Sequence, residues 1–464
     1  MMLWKGGTMR TKPLYEQLID RRTGFITRLT PAPIHPNLPR QIYSWRAQMA
    51  DGFILAGIPS DRIAGGTAFS DEKARLAAIG EAVERYCGNY IGGPLLKGSY
   101  KELTAKGYKL LDPLRVPLYS HNQYTAAGFP FVPMDRDLVM NWIEGESLTG
   151  GYRTWLPASL VYINYHQEAF RGEPQTHFVQ YAGIACGSTL NHAIISGLLE
   201  LIERDAVAVW WGADAPLPAL NASAYPRLRS YMEPIQADSP VSFKWFPIPN
   251  DSGIPVIGSL LYDARQHIVC MGFAARFSAE EAALKAAAEA AQSYHIALDL
   301  LEPDSPTWNA MKQGILNDKA LKPYRAGRGY RSAFRADYRD MVDLYLNSQY
   351  YMDPATHAEI SSLLNAEEAA MLPSDAEIPY TVEALAHKLS TLDLEAFYAE
   401  VTTPDIRDVG LYVTRVIVPG LVPNAPTAFP YLGPGRLYSI PCKLGWTTRP
   451  LTEDQINRRP LPHS

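Results

Sequence analysis

LELIERD, residues 199–205, lies inside the apolar run NHAIISGLLELIERDAVAVWW, residues 191–211, and its reading decides the rest. Ile194, Ile195, Leu198, Leu199, Leu201, Ile202, Val207 and Val209 cover most of the circumference, as in a helix buried in a core. Glu200 and Glu203 stand one helical turn apart, so their carboxylates leave the same face. Like charges repel there and are costly to take out of water, so something cationic belongs beside them. For one pair alone, a structural ion-pair network built on Arg204 and a second basic side chain serves as well as a ligand site.

The arrangement recurs. GEAVERY, residues 80–86, repeats the glutamate, two-residue gap, glutamate and arginine, so Glu81, Glu84 and Arg85 match Glu200, Glu203 and Arg204. The copies lie 119 residues apart, too far for a solenoid period and suited to two helices of one domain facing each other across a site. Ser70 is the predicted N-cap of the first helix, Asp71 and Glu72 occupy its first turn, and Ile79, Val83 and Tyr86 form its apolar stripe. Ala77, Gly80 and Gly88 line its carboxylate face, which reads as room for a bulky polar ligand. A third helix, SAEEAALKAAAEAAQSYHI at 278–296, is predicted to open with a capping box between Ser278 and Glu281, and it carries Glu289 and Gln292 three apart.

Four or five converging carboxylates call for divalent cations, and an all-oxygen ligand set favours Mg2+, held through a few carboxylates plus substrate phosphates. That points to a magnesium nucleotide. No Gly-Lys dipeptide occurs, which excludes a P-loop, and no Gly-x-Gly-x-x-Gly stretch follows a strand.

GGTAFSDEKARLAAIGEAVERYCG, GIACGSTLNHAIISGLLELIERDAVAVWW and GFAARFSAEEAALKAAAEAAQ resemble, in that order, the three signature blocks of the YcaO superfamily. RVIVPGLVP, GRLYSIPCKLG and LTEDQINRRPLPHS are similar to the closing blocks of its azoline-forming D-protein branch. The resemblance runs from about Gly65 to the last residue. It implies an ATP-dependent cyclodehydratase that converts Cys, Ser or Thr of a ribosomally made precursor peptide to azolines. It further implies that Glu81, Glu84, Glu200 and Glu203 hold Mg2+ and the triphosphate of ATP, with Arg204, Glu289 and Gln292 completing the nucleotide pocket. Arg85 reads equally as a ligand and as a brace for its helix, and Asp205 as a cap or brace.

Three positions depart from the family pattern: Ala77 stands for a serine, Ser188 for an asparagine and His192 for a glutamate. Serine keeps hydrogen-bonding capacity and alanine does not. His192 would pair with phosphate rather than metal, which leaves the number of Mg2+ ions open. The proline-rich tail is shortened, and His463 or the Ser464 carboxylate would act as proton acceptor, with a disordered polar tail as the competing reading. The resemblance also implies partners: a separate E1-like C-protein that binds the leader peptide, and a flavin dehydrogenase that would oxidise azolines to azoles. A homo-oligomer or a heteromeric complex follows. Thioamide formation in the same ATP pocket and a non-catalytic docking subunit are the alternatives.

The chain has 464 residues, 47% of them hydrophobic, enough for a large core. A net charge of −5 argues against a general nucleic-acid binder. Lys319, Lys322, Arg325, Arg328, Arg331, Arg335 and Arg339 make one segment basic, and it reads as a solvated loop. Four widely separated cysteines give no zinc pair or disulfide framework, consistent with a reducing cytoplasm. The opening MMLWKGGTMRTK has no apolar signal region, Met9 is an alternative start, and no apolar stretch is long enough to span a bilayer.

RTWLPASLVYI, VSFKWFPI, IPVIGSLLYD, IVCMGFAAR, LEAFYAEVT and LYVTRVIVP read as strands, with a hairpin at Ala264, Arg265 and Gln266 and a short helix near ALAHKLSTL. The fold class expected is α+β of YcaO type, with long core helices packed on mostly antiparallel sheets. Residues 1–64 are a proline-containing lead-in, 65–300 the ATP-binding core, 301–378 a helical insertion, and 379–464 terminal strands and tail.

Overall fold

The computed structural model describes residues 13–463 except 59, 315 and 318. Strands β1 (Ile26–Pro31), β2 (Tyr43–Met49) and β3 (Ile63–Ala68) form a first antiparallel sheet, so the lead-in and the core share it. Strands β4 (Leu96–Gly98), β5 (Met140–Ser147), β6 (Tyr152–Pro157) and β7 (Ile184–Gly187) begin a second. A third is the antiparallel meander of β8 (Val241–Pro247), β9 (Val256–Asp263) and β10 (Ile268–Ala275). Strand β10 is buried along its whole length, which explains its unbroken apolar sequence. The chain then returns to the second sheet with β11 (Phe397–Glu400) and β12 (Tyr412–Ile417). There β7 pairs with β12, β12 with β11, and β11 with β5, all antiparallel. The architecture is α+β.

The long helices are α1 (Asp71–Asn89), α2 (Leu190–Gly212) and α3 (Ala279–Leu301). Each lies between two sheets: α1 touches β3 and β7, α2 touches β7 and β10, and α3 touches β10 and β3. Sheets and helices therefore alternate around a ring. Strand glycines permit the close approach. A Cβ at Gly66 would sit 2.2 Å from Ala74 O, one at Gly187 would sit 2.5 Å from Ala193 N, and one at Gly272 would sit 2.3 Å from both Ala286 O and Ala290 N.

Several local expectations are corrected. Ser278 makes no capping bond; the first turn of α3 is capped from a distance, Ala279 N donating to Asp375 Oδ1 at 2.8 Å. RTWLPASLVYI is a strand only as far as Pro157, whose missing N–H ends the ladder, and Ala158–Val161 turn helical. The β9–β10 turn takes four residues rather than three, because Asp263 Oδ1 gathers the amides of Arg265 and Gln266 and His267 sits at φ +50°. Among the described residues between 302 and 378 the helices are short, such as Pro306–Lys312 and Tyr345–Tyr350, and Glu368–Ala370 adds a short strand parallel to Ala219–Leu220. The basic stretch there is laced with internal contacts: Lys322 with Asp340 at 2.7 Å, Arg331 with Glu359 at 3.1 Å, and Arg335 with Asp337 at 2.8 Å. Among the described residues no helix is long and apolar enough to cross a membrane.

Gly272→Ala is expected to lever α3 off β10, since the new methyl meets two main-chain atoms that have no rotamer to escape into. A loss of at least ~2 kcal/mol should lower the thermal unfolding midpoint; an unchanged midpoint would mean the two elements tolerate separation.

Candidate active site

The three helices share one plan. N-caps Ser70, Thr189 and Ser278 each precede by 11 residues an acid (Glu81, Glu200, Glu289) and by 14 a second polar side chain (Glu84, Glu203, Gln292). Since 3.6 residues make a turn, both side chains emerge from the same face of every helix.

Main-chain amides in or next to the strands then aim the carboxylates. Glu81 Oε2 accepts from Gly65 N at 2.7 Å, and Glu200 Oε2 from Gly183 N at 2.9 Å, each on the chain leading into its own helix. The second glutamate of each pair reaches the next sheet: Glu84 Oε1 accepts from Cys186 N at 2.7 Å, and Glu203 Oε2 from Ala275 N at 3.1 Å. Gln292 closes the ring, its Nε2 lying 3.4 Å from where a Cβ on Gly65 would stand. The four glutamates thus face a common interior.

Basic groups thread between them. Arg85 Nη2 donates to Glu81 Oε1 at 3.1 Å, pairs with Asp61 at 3.6 Å, and lies 4.5 Å from the Tyr181 ring centroid, so it braces α1. Arg204 stands 3.3 Å from Glu203 and 3.8 Å from Glu200, and its buried Nε has no partner among the described residues. Lys285 holds Glu289 at 3.1 Å. Asp205, a neighbour on α2, bonds Arg436 and the amide of Val422, so it braces the C-terminal segment.

Burial pushes the Glu84 carboxyl up to about 8, with Glu200 and Glu81 adding to it and the Cys186 amide and Arg85 opposing. Burial likewise raises Glu203, against Arg204 and with Glu289 and Glu200. Burial would raise Glu289 too, but Lys285 and Arg204 outweigh it and hold that carboxyl below its ordinary range. Among the described residues no three His, Cys, Asp or Glu side chains gather closely enough to hold an ion alone. A Mg2+ site that draws its remaining ligands from phosphate and water requires no such cage.

Arg415, which sequence reasoning passed over, is 1% exposed and donates to the carbonyls of Val161, Gln180, Tyr181 and Ala182 at 2.6–3.2 Å. Its signal was one charged residue at the centre of the strand YVTRVI. Ser188 and His192 are exposed at the N-terminal turn of α2, the second of them two helical turns, about 12 Å, from Glu200. The small residues of α1 do not leave open space: Ile163 and Ile184 crowd Gly88, Cys186 lies beside Gly80, and Ala77 faces Gly66. Their smallness lets strands approach. His463 is drawn into the ring, and Ser464 lies outside the described residues.

Residues 65–422 match the family model for YcaO cyclodehydratases, described as ATP- and Mg2+-binding. The chain belongs to this family. Among solved structures it is similar to a heterocyclase in complex with substrate and cofactor (TM-score 0.66, 23% identity, 97% of this chain and 56% of that one). It is also similar to YcaO from Methanopyrus kandleri bound with AMPPCP and Mg2+ (TM-score 0.54, 17% identity, 85% of each chain). A third similar structure is the E. coli microcin synthetase McbBCD complex (TM-score 0.50, 14% identity, 85% of this chain and 88% of that one). The chain spans about half the length of the first of these.

The raised Glu84 carboxyl carries a sign. The unfolded group releases its proton near 4.5 and the folded one near 8, so its contribution to stability is full below 4.5 and is lost as pH rises through 8. Glu84→Gln keeps an acceptor for Cys186 N and removes the charge. At pH 9 it should melt above the wild type by roughly 2 °C or more, the gap closing toward pH 5. Equal midpoints at pH 9 would place this carboxylate in water.

Proposed function

We propose that this chain is an ATP- and Mg2+-dependent peptide cyclodehydratase, forming azolines from Cys, Ser or Thr of a ribosomally made precursor. The observation that carries it is the ring of glutamates held by main-chain amides, whose charge is only partly matched by protein cations, closed around a buried Arg204 Nε with no partner among the described residues. Such a donor set fits a magnesium polyphosphate: hard oxygens for the ion and an orphaned guanidinium N–H for phosphate.

In this reading Glu81, Glu84, Glu200 and Glu203 hold Mg2+, while Arg204, Glu289 and Gln292 complete the nucleotide pocket. Ser188 and His192 meet phosphate or peptide from outside the ring. Bound Mg·ATP supplies the phosphoryl group that turns a backbone amide oxygen into a leaving group. The protein's own part is to position the reactants and neutralise charge, from which most of the catalysis of phosphoryl transfer comes. His463 serves poorly as the proton acceptor of the ring closure, because Arg204 occupies its Nε2. The precursor peptide is the substrate. A heteromeric assembly is supported by the likeness to McbBCD, a complex; the E1-like leader-binding C-protein and the flavin dehydrogenase are its proposed further members.

Reconstitution with a precursor peptide and partner tests this. Each ring formed should remove roughly 18 Da, the mass of water, by way of phosphorylation at a backbone oxygen, and Glu200→Gln should cut the rate at least ~100-fold. A gain of roughly 16 Da, oxygen exchanged for sulfur, would instead indicate thioamide formation at the same phosphorylated oxygen. No heat of binding with Mg·AMPPCP and no effect of Glu200→Gln would leave a docking subunit.

A further inference from the structure

The last described residues form a strap across the ring of helices. Asn457 N donates to Gly212 O at 2.8 Å, Trp211 Nε1 to Arg459 O at 2.7 Å, and Tyr351 OH to Pro460 O at 2.7 Å. Met271 N donates to Pro462 O at 2.7 Å, so the strap ends alongside β10. His463 is fixed from three sides: Asn347 Nδ2 donates to its carbonyl at 3.3 Å, its ring stands edge-on to Phe273, and its Nδ1 lies 3.1 Å from Met271 O.

The tautomer follows from those contacts. A carbonyl only accepts, so Nδ1 carries the proton and Nε2 presents a lone pair. Arg204 Nη1, which only donates, meets that lone pair at 3.0 Å. Two carboxylates are ion-paired with the guanidinium from the sides, one nitrogen to each: Glu203 with Nη1 at 3.3 Å and Glu200 with Nη2 at 3.8 Å. Glu289, the third acid nearby, is taken by Lys285. A free arginine between two glutamates would settle into a two-pronged pair with one of them, its strongest geometry.

We propose that His463 is a positioning residue: its Nε2 accepts from Arg204 Nη1, prevents the guanidinium from closing on Glu200 or Glu203, and keeps the unpartnered Nε aimed at the nucleotide phosphates. This rests on the Mg·ATP reading above. His463 thereby acts as a hydrogen-bond acceptor of fixed orientation and not in proton transfer.

Calorimetry with Mg·AMPPCP on the full chain, alongside thermal unfolding, tests it. His463→Leu should weaken binding about 10-fold and His463→Gln, whose amide oxygen can accept, less than about 3-fold, as expected for one hydrogen bond to a charged group. His463→Glu should weaken binding more than Leu while melting no lower than wild type, because a new carboxylate would capture Arg204. Equal losses in Leu and Gln, losses that track a falling midpoint, or restored affinity in Glu would overturn the positioning role. Absence of binding by the wild type would overturn the nucleotide reading and this inference with it, whereas wild-type binding without the Leu–Gln contrast overturns the inference alone.

Discussion

Four glutamate carboxylates accept hydrogen bonds from main-chain amides, three of them in neighbouring strands and one, Gly183, in the turn that leads into β7, and the remaining architecture is arranged around that contact. An amide steadies a carboxylate without cancelling its charge, whereas an arginine would do both. The site can therefore be rigid and still electron-rich. Reaching a strand amide from a helix side chain requires the two backbones to lie close, which is why Gly66, Gly187 and Gly272 face the helices. Because Glu84 and Glu203 reach across to the next sheet, the bonds that set the site also tie the sheets together.

Much of this was legible as pattern. The glutamate pairs of α1 and α2 share a local sequence, the 3.6-residue period marks all three helices, and the runs that became β8 to β12 are rich in β-branched or aromatic residues. What sequence could not supply depends on contacts between distant segments. Asp375 caps α3 in place of Ser278 across 96 residues. Gly88 resembles a cleft-lining residue until Ile163 and Ile184 are placed against it. The kinship of α3 with the other helices hides in an alanine-rich sequence. It shows only in the shared distance from N-cap to polar pair, since Glu289 and Gln292 lack the arginine that follows the other two pairs.

The surplus of acid also bears on stability. Burying the carboxyl of Glu84 disfavours its charged form, and packing like charges near it adds to that. Stability alone would favour amides or hydrocarbons at such positions, so charged groups in a core helix support the proposal that a cation binds there. In the proposed function, a cation bound among these carboxylates would relieve that repulsion and stabilise the folded state, as any ligand that binds the folded state alone does.

Arg415 mirrors the glutamates electrostatically. Its guanidinium donates to four carbonyls and to no carboxylate among the described residues, so its charge is fixed in place but not cancelled. Burial lowers it to about 10, the nearby Arg85 adds to this, and Glu200 and Glu84 pull it back up, so it remains a cation at neutral pH. From there it acts on Glu84 and Glu200 through space alone. It eases their mutual repulsion without itself claiming the oxygens that main-chain amides do not already hold. An ion pair in its place would have neutralised the same charge by occupying those oxygens. Under the proposed function those oxygens must stay open for a metal-bound phosphate, and an arginine bound to carbonyls meets both demands together.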